Sequence, residues 1–340
     1  MHTQNKNEKA NQNNLAKPIC PHFGQCGGCV WQDLSAQDYI TCKTSFIQRA
    51  FQDVKLTIQL EPMIQIPLGT RRRASFAFTT SHFGFHEAKS HKIVDIHSCP
   101  LLTTQINKTL PILKETLSKL HSSGTAFVLD TPLGLDIHIK GEKGLPNLDA
   151  LEVLASLATE STIARVIYNE TPIFEKAPLP DSADSFAQPS LEGEQALVNL
   201  VLENIGSARN AVDLFCGKGT FTLPLLEKGL LATGYDCAAN VQALGTHGKQ
   251  RDLFRNPLSA EELNEFDLAI LDPPRAGALA QTQQLAESSI PTIIMVSCNP
   301  KTAARDCKIL CENGWHLHKI TPVDQFTYSN HVEIVIVLKR

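Results

Sequence analysis

The chain has 340 residues, 42% hydrophobic and 19% charged, enough length for two or three domains with a sizeable core. No apolar run nears the 18 residues of a membrane span, and the composition excludes a collagenous or largely disordered protein. The formal net charge of −4 hides an asymmetry, because residues 1–125 hold 14 Lys and Arg against 8 Asp and Glu, and the remainder 17 against 27. A basic front joined to an acidic back fits a polyanion-binding part followed by a catalytic part.

Residues 1–19 read as a disordered tail. Met1 to Lys17 carries five Asn and three Lys and no apolar segment of the secretory type, so the expected compartment is the cytoplasm. In a reducing compartment the ten cysteines point to metal binding or chemistry rather than to disulfides. Three of them fall with three glycines in the ten residues Cys20-Pro-His-Phe-Gly-Gln-Cys26-Gly-Gly-Cys29. Glycines let a short loop wrap an ion or cluster closely. Spacing alone leaves structural zinc and an iron–sulfur cluster both open.

Short strands are expected at Ser75–Thr79, Gly84–His86, Ile93–His97, Ala126–Leu129 and Leu135–Ile139, with helical spacing over Leu101–Leu120. These define a mixed domain over 45–170, centred on an antiparallel sheet. From 171 the pattern changes. A helix at Gly193–Glu203 precedes strands at Ala211–Phe215, Leu231–Tyr235, Leu268–Leu271 and Thr292–Val296, with helices between them. Near-continuous apolar strands alternating with helices give a doubly wound α/β sheet buried on both faces. Trp315–Pro322 and His331–Leu338 read as a terminal hairpin on that sheet.

Three motifs fall at carboxyl ends of these strands, where a doubly wound sheet binds its ligands. Asp213-Leu-Phe-Cys-Gly-Lys-Gly-Thr-Phe221 turns on glycines into a helix, and Asp236 ends the next strand, where a carboxylate can accept from ribose hydroxyls. Asp272-Pro-Pro-Arg-Ala-Gly277 ends the third of these strands and Ser297-Cys-Asn-Pro300 the fourth. Cys298, at an active-edge turn among polar residues, is a candidate nucleophile, with a buried structural thiol as the alternative. Glu333 opens the last apolar strand and reads as either a general base or a surface gatekeeper.

With Cys20, Cys26, Cys29, Arg71-Arg72-Arg73, Arg251-Asp-Leu-Phe254 and Asp324-Gln-Phe…His331-Val-Glu333, these motifs resemble the RNA uracil-C5-methyltransferases. Those are S-adenosylmethionine enzymes that make 5-methyluridine in ribosomal or transfer RNA, and the resemblance covers residues 20–340. It implies that Cys298 is the nucleophile and Glu333 the proton-abstracting base. It implies cofactor contacts from Gln188, Phe215, Thr220, Asp236, Asp252 and Asp272, with Asp272 also available to the substrate base. Cys20, Cys26, Cys29 and Cys99 match the family's [4Fe–4S] ligands, which makes 20–44 an iron–sulfur segment. The implied architecture adds a β-rich RNA-binding domain, with Arg71, Arg72 and Arg73 as phosphate contacts, and a Rossmann-like methyltransferase domain over 171–340.

The chain departs from the family in places. Phe186-Ala187-Gln188-Pro189-Ser190 lacks the asparagine of the usual Phe-x-Gln-x-Asn, Thr327 replaces a proline, and the N-terminal barrel of many members has no counterpart. Cluster-bearing members without the barrel look most like the enzymes of large-subunit ribosomal RNA, so 23S rRNA is the expected substrate, with transfer RNA the alternative. Amino-group methylation of a base would suit an acidic-Pro-Pro-aromatic motif, but Arg275 occupies the aromatic position. A non-catalytic RNA-binding protein with a degenerate cofactor pocket would leave Cys298 and Glu333 unexplained.

Overall fold

The computed structural model describes residues 15–142, 147–179, 182–185 and 187–340. The expected disordered tail up to residue 14, and Phe186 of the Gln188 motif, lie outside the described residues. The chain divides into two compact units, the first being Met1–Ala36, Ile66–Glu192 and Thr327–Ser329, the second Gln37–Gln65, Gly193–Phe326 and Asn330–Arg340. These are not the boundaries expected at 44 and 170. Helix α1 (Ala36–Asp53) and the short strand β1 (Ile64–Gln65) belong almost wholly to the second unit, whereas the first runs on to residue 192.

The first unit is built on a seven-stranded sheet. Its strands are β2 (Arg73–Phe78), β3 (Phe83–His86), β4 (Ile93–Asp95), β5 (Gly124–Thr131), β6 (Gly134–Lys140), β7 (Ile163–Tyr168) and β8 (Thr171–Glu175), in the spatial order β4-β3-β2-β5-β6-β7-β8. Neighbours are antiparallel except β6 and β7, which pair in parallel through the crossover containing α3 (Leu148–Ala155). Helix α2 (Thr104–Ser118) starts where the Thr103 hydroxyl accepts from the Ile106 N–H, satisfying one free donor of the first turn. Ile106, Leu110, Leu113 and Leu117 recur at helical spacing and are buried against Phe76, Phe83, Val128 and Ile137 of the sheet. Each such side chain contributes about 1.5–3 kcal/mol of burial. The first five strands coincide with the expected ones to within two residues. β7 adds a strand that the sequence reading did not mark, and β8 extends the sheet past the expected boundary at 170.

In the second unit, α4 (Leu191–Glu203) leads into β9 (Asn210–Leu214), α5 (Thr222–Glu227), β10 (Leu231–Asp236), β11 (Gly248–Gln250) and α6 (Ala260–Leu263). Then follow β12 (Leu268–Leu271), α7 (Leu279–Glu287), β13 (Thr292–Ser297), α8 (Pro300–Glu312), β14 (His316–Asp324) and β15 (Glu333–Lys339). The sheet order is β1-β14-β15-β13-β12-β9-β10-β11. β9 to β13 are mutually parallel, and β15 runs antiparallel between β13 and β14. Every residue of β12 is buried, as expected of a strand covered on both faces. On one of those faces Ile47 and Phe51 of α1 join Cys307 and Leu310 of α8 in the core. Among the described residues no helix is long and apolar enough to cross a membrane.

Candidate active site

The second unit brings Cys298, Asp272, Phe215 and Asp236 to one edge, because the adjacent parallel strands β13, β12, β9 and β10 end there in that order. Glu333 reaches the same edge from the opposite direction. β15 is antiparallel to β13 with Ser297 opposite Ile334, so the residue that begins β15 stands beside the residue that follows β13. Strands in a ladder lie about 4.8 Å apart, so the register alone makes Cys298 and Glu333 neighbours.

The loops at this edge are held by their own polar groups. Asn299 caps α8, its Oδ1 accepting from the Lys301 N–H at 3.2 Å, and Pro300 follows in the first turn, where a missing N–H costs nothing. The same side chain donates through Nδ2 to the Arg275 carbonyl at 2.8 Å, tying the Asp-Pro-Pro-Arg loop to the Cys298 turn. That loop closes on Gly277 at φ +75°, where a Cβ would stand 2.8 Å from the Asp306 Oδ2 that accepts from the Ala278 N–H. Any other residue would be strained there and would push the loop off α8.

Burial and mutual repulsion set the charges. Burial pushes the Glu333 carboxyl up to about 7, opposed by a hydrogen bond from the Gln325 side chain and by the Arg275 charge. Asp272 is pushed well above the carboxylate range by burial and then by the nearby Glu333 charge. Burial, with Glu333 and Asp272, raises the Cys298 thiol to about 11, while Arg275 pulls it down. Near neutral pH this site holds a protonated thiol and a Glu333 poised to take or give a proton, with the raised Asp272 beside them. Arg275 and Gln325 are members of the site to which the sequence attached no role, although each lies inside a motif quoted above.

Toward β10 the edge changes character. Phe215 has φ +65° and Gly217 and Gly219 have φ +56° and +96°, so the turn doubles back on itself. Asp236 holds it, its carboxylate accepting from the Gly217 N–H at 2.9 Å and the Ala238 N–H at 2.8 Å. The rings of Phe215 and Phe254 lie 5.2 Å apart. Asp252 closes the turn beneath Phe254 by accepting from its N–H at 3.0 Å. Thr220 is half-buried just before α5. The exposed face of Phe254 and the remaining lone pairs of Asp236 leave an aromatic and a carboxylate available to a nucleoside. Asp213, wholly buried in β9 and raised to about 7 by burial, accepts from the Thr222 hydroxyl at 2.7 Å and braces the turn from behind.

The other expected site residues belong to the first unit. Gln188 is buried there, and its backbone carbonyl accepts from Arg72 Nε at 3.0 Å. Of the three arginines expected to contact phosphates, Arg72 is buried while Arg71 and Arg73 are half-buried. Arg72 is 7% exposed and its N–H also donates to the Pro189 carbonyl. Arg71 Nε donates to the Arg73 carbonyl at 3.0 Å, and its guanidinium lies in the field of Cys99 and Cys29. Arg73 is half-buried in β2 with Asp184 nearby.

Cys20, Cys26, Cys29 and Cys99 also belong to the first unit, all half-buried free thiols. Cys26 Sγ accepts from the Gly28 N–H at 3.4 Å, and Cys99 is bonded by the backbone of Leu101 and Leu102. The Cys29 thiol is raised to about 11, chiefly by burial, with Cys99, Cys26 and Cys20 adding repulsion. Among the described residues no three His, Cys, Asp or Glu side chains form a group that could hold a metal ion.

Residues 243–340 match the family described as tRNA (Uracil-5-)-methyltransferase. An uncharacterized RNA methyltransferase of Agrobacterium fabrum is 36% identical over 95% of this chain and 86% of its own length. The 23S rRNA (uracil(1939)-C(5))-methyltransferase RlmD of Vibrio parahaemolyticus is 27% identical over 95% of this chain and 82% of its own. In fold the chain resembles the crystal structure of the Pyrococcus abyssi tRNA (uracil-54, C5)-methyltransferase in complex with S-adenosyl-L-homocysteine. That likeness has a TM-score of 0.71 and 21% identity over 93% of this chain and 86% of that one.

Proposed function

Since the chain belongs to the RNA uracil-C5-methyltransferase family, we propose that it methylates C5 of a uridine in 23S ribosomal RNA from S-adenosylmethionine, through a covalent Cys298–uracil adduct. The observation that carries this reading is the meeting of Cys298 and Glu333 at facing ends of antiparallel β13 and β15, beside the glycine turn. Uracil C5 is a poor nucleophile. Addition of the Cys298 thiolate to C6 moves an electron pair onto O4, and the resulting enolate would attack the methyl group through C5 as the methyl–sulfur bond breaks and S-adenosylhomocysteine leaves with that electron pair. Glu333 then takes the C5 proton, the C–H electrons re-form the C5–C6 double bond, and the C6–S bond breaks to return the thiolate. Asp272, at the end of the adjacent β12, would be available to hydrogen-bond the base. Inside folded RNA the uracil face is covered, so the target nucleotide has to be flipped out to reach the thiol.

The cofactor, when bound, supplies a methyl group activated on a positively charged sulfur. Phe215, Thr220, Asp236, Asp252 and Asp272 would hold it, with the free ring face of Phe254 beside them, and Asp236 would take the ribose hydroxyls. The likeness to RlmD over nearly the whole chain favours ribosomal RNA, in the cytoplasm where ribosomes are made, while the match to the tRNA family over residues 243–340 keeps transfer RNA as the second substrate to test. Incubation of the purified chain and S-adenosylmethionine with unmodified 23S rRNA or with tRNA transcripts, followed by mass mapping of 5-methyluridine, decides between them. Methylation of tRNA alone reverses the substrate assignment, and methylation of a base amino group removes the reading altogether.

We infer from the family resemblance that Cys20, Cys26, Cys29 and Cys99 would hold a [4Fe–4S] cluster, four thiols being the donor set such a cluster takes. Cys29 and Cys99 lie in the field of the other cysteines, and Cys26 and Cys99 already accept backbone N–H groups as cluster sulfurs do. A cluster would supply no redox step to methyl transfer; it would pin a glycine-rich loop to the Cys99 turn. Anaerobically purified protein should be brown, and Cys99→Ser should lose the colour and the thermal stability of the first unit. A colourless protein with stoichiometric zinc would contradict the cluster.

A further inference from the structure

The geometry points to Lys43, far from the active-site motifs in sequence, as the positioning residue that fixes the base for proton removal from C5; this rests on reading Glu333 as that base. Lys43 lies on the buried stripe of α1, between Tyr39 and Ile47 at helical spacing, and is 1% exposed. An ammonium group in such a place costs several kcal/mol unless its charge and its three N–H donors are all met. They are. Lys43 Nζ donates to Asp324 Oδ1 at 2.6 Å, to the Phe326 carbonyl at 3.0 Å and to the His331 carbonyl. The second carboxylate oxygen of Asp324 accepts from the Tyr39 hydroxyl.

These acceptors are not scattered. Asp324 and Phe326 flank Gln325, whose side chain hydrogen-bonds the Glu333 carboxylate. His331 lies two residues before Glu333, which itself pairs with Val323 across the β14–β15 ladder. One ammonium group therefore joins both ends of the β14–β15 connection and holds the backbone on either side of the residue that orients the base. Stability alone does not call for this ion pair, since an apolar pair in place of Lys43 and Asp324 would serve it equally well. The carbonyl bonds fix peptide orientation, on which the direction of the Gln325 and Glu333 side chains depends. A displacement of about 1 Å at a reacting group can cost about 10²-fold in rate.

The test uses the full chain with a uridine-tritiated RNA substrate in single turnovers, reading methyl incorporation and tritium release separately. In Lys43→Met, tritium release should slow by about 10²-fold relative to methyl incorporation, and methylated protein–RNA adduct should accumulate. That variant also strands the Asp324 carboxylate, so K43M/D324N is measured beside it. The double variant should regain the thermal stability lost in the single one yet keep slow release. Recovery of release together with stability would make Lys43 a charge partner only and overturn the proposal, as would normal release in Lys43→Met. Glu333→Gln is run in parallel. Normal tritium release in that variant defeats the assignment of the base itself, whereas a stalled Glu333→Gln beside a normal Lys43→Met defeats only the role of Lys43.

Discussion

Cys298→Ala is expected to lower methyl transfer to RNA by at least about 10⁴-fold, the scale on which removal of a nucleophile acts, while Cys307→Ala retains it. The contrast rests on where the two thiols lie. Cys307 is wholly buried on the inner face of α8, and its loss should cost only about 1 kcal/mol of stability. Cys298 follows the last residue of β13, half-buried, with Glu333, Asp272 and Arg275 all close enough to move its pKa. Its thiol is raised to about 11, so the free site holds it protonated. The rate of adduct formation should accordingly climb with pH well past neutrality, as the thiolate fraction grows. Arg275→Leu removes the charge that opposes that rise and should slow adduct formation further at any fixed pH below 11. Both quantities are read by trapping labelled RNA on the denatured protein. Full turnover by Cys298→Ala would remove the covalent route and reopen methylation of a base amino group.

The sequence made the centre of this site legible and hid its support. Strand β12 coincides with the expected Leu268–Leu271, because an all-apolar run between turn residues has few other solutions. Cys298, Asp272 and Glu333 were marked by motifs that end or begin such strands, and strand order then brings them together. Helix α1 gave no such signal. Its apolar stripe is interrupted by Lys43, so the period that would announce a buried face is broken by the residue that fastens it to Asp324. β1 is two residues long and joins the sheet only by pairing with β14, far along the chain. The burial of Arg72 was hidden for a related reason. Charge is legible from sequence, but the acceptor that takes it inside, here the Gln188 carbonyl, is supplied by a distant loop. The division of the chain was obscured in the same way, since residues 37–65 cross from the cysteine-rich segment into the catalytic sheet.

Resolution of the methylated adduct should lose tenfold in rate for each pH unit below about 7 and level off above it, because Glu333 acts only as the carboxylate. An ordinary glutamate, near 4.5, would leave this step flat across the neutral range. Burial raises Glu333 to about 7 by disfavouring the charged form, and the Gln325 hydrogen bond and Arg275 only partly offset it. The sign therefore follows from the fold: acidification protonates the base while the methylated adduct stays intact, so adduct accumulates at low pH. Starting from preformed adduct isolates this step, since the thiol of Cys298 has already reacted and its own titration near 11 does not enter. Gln325→Ala removes a bond that favours the carboxylate and should move the inflection above 7. Glu333→Gln should resolve adduct slowly at every pH, with no inflection left. An inflection near 4.5 in the unaltered chain would mean that Glu333 is solvated when RNA is bound, and ordinary turnover by Glu333→Gln would assign the proton to another base.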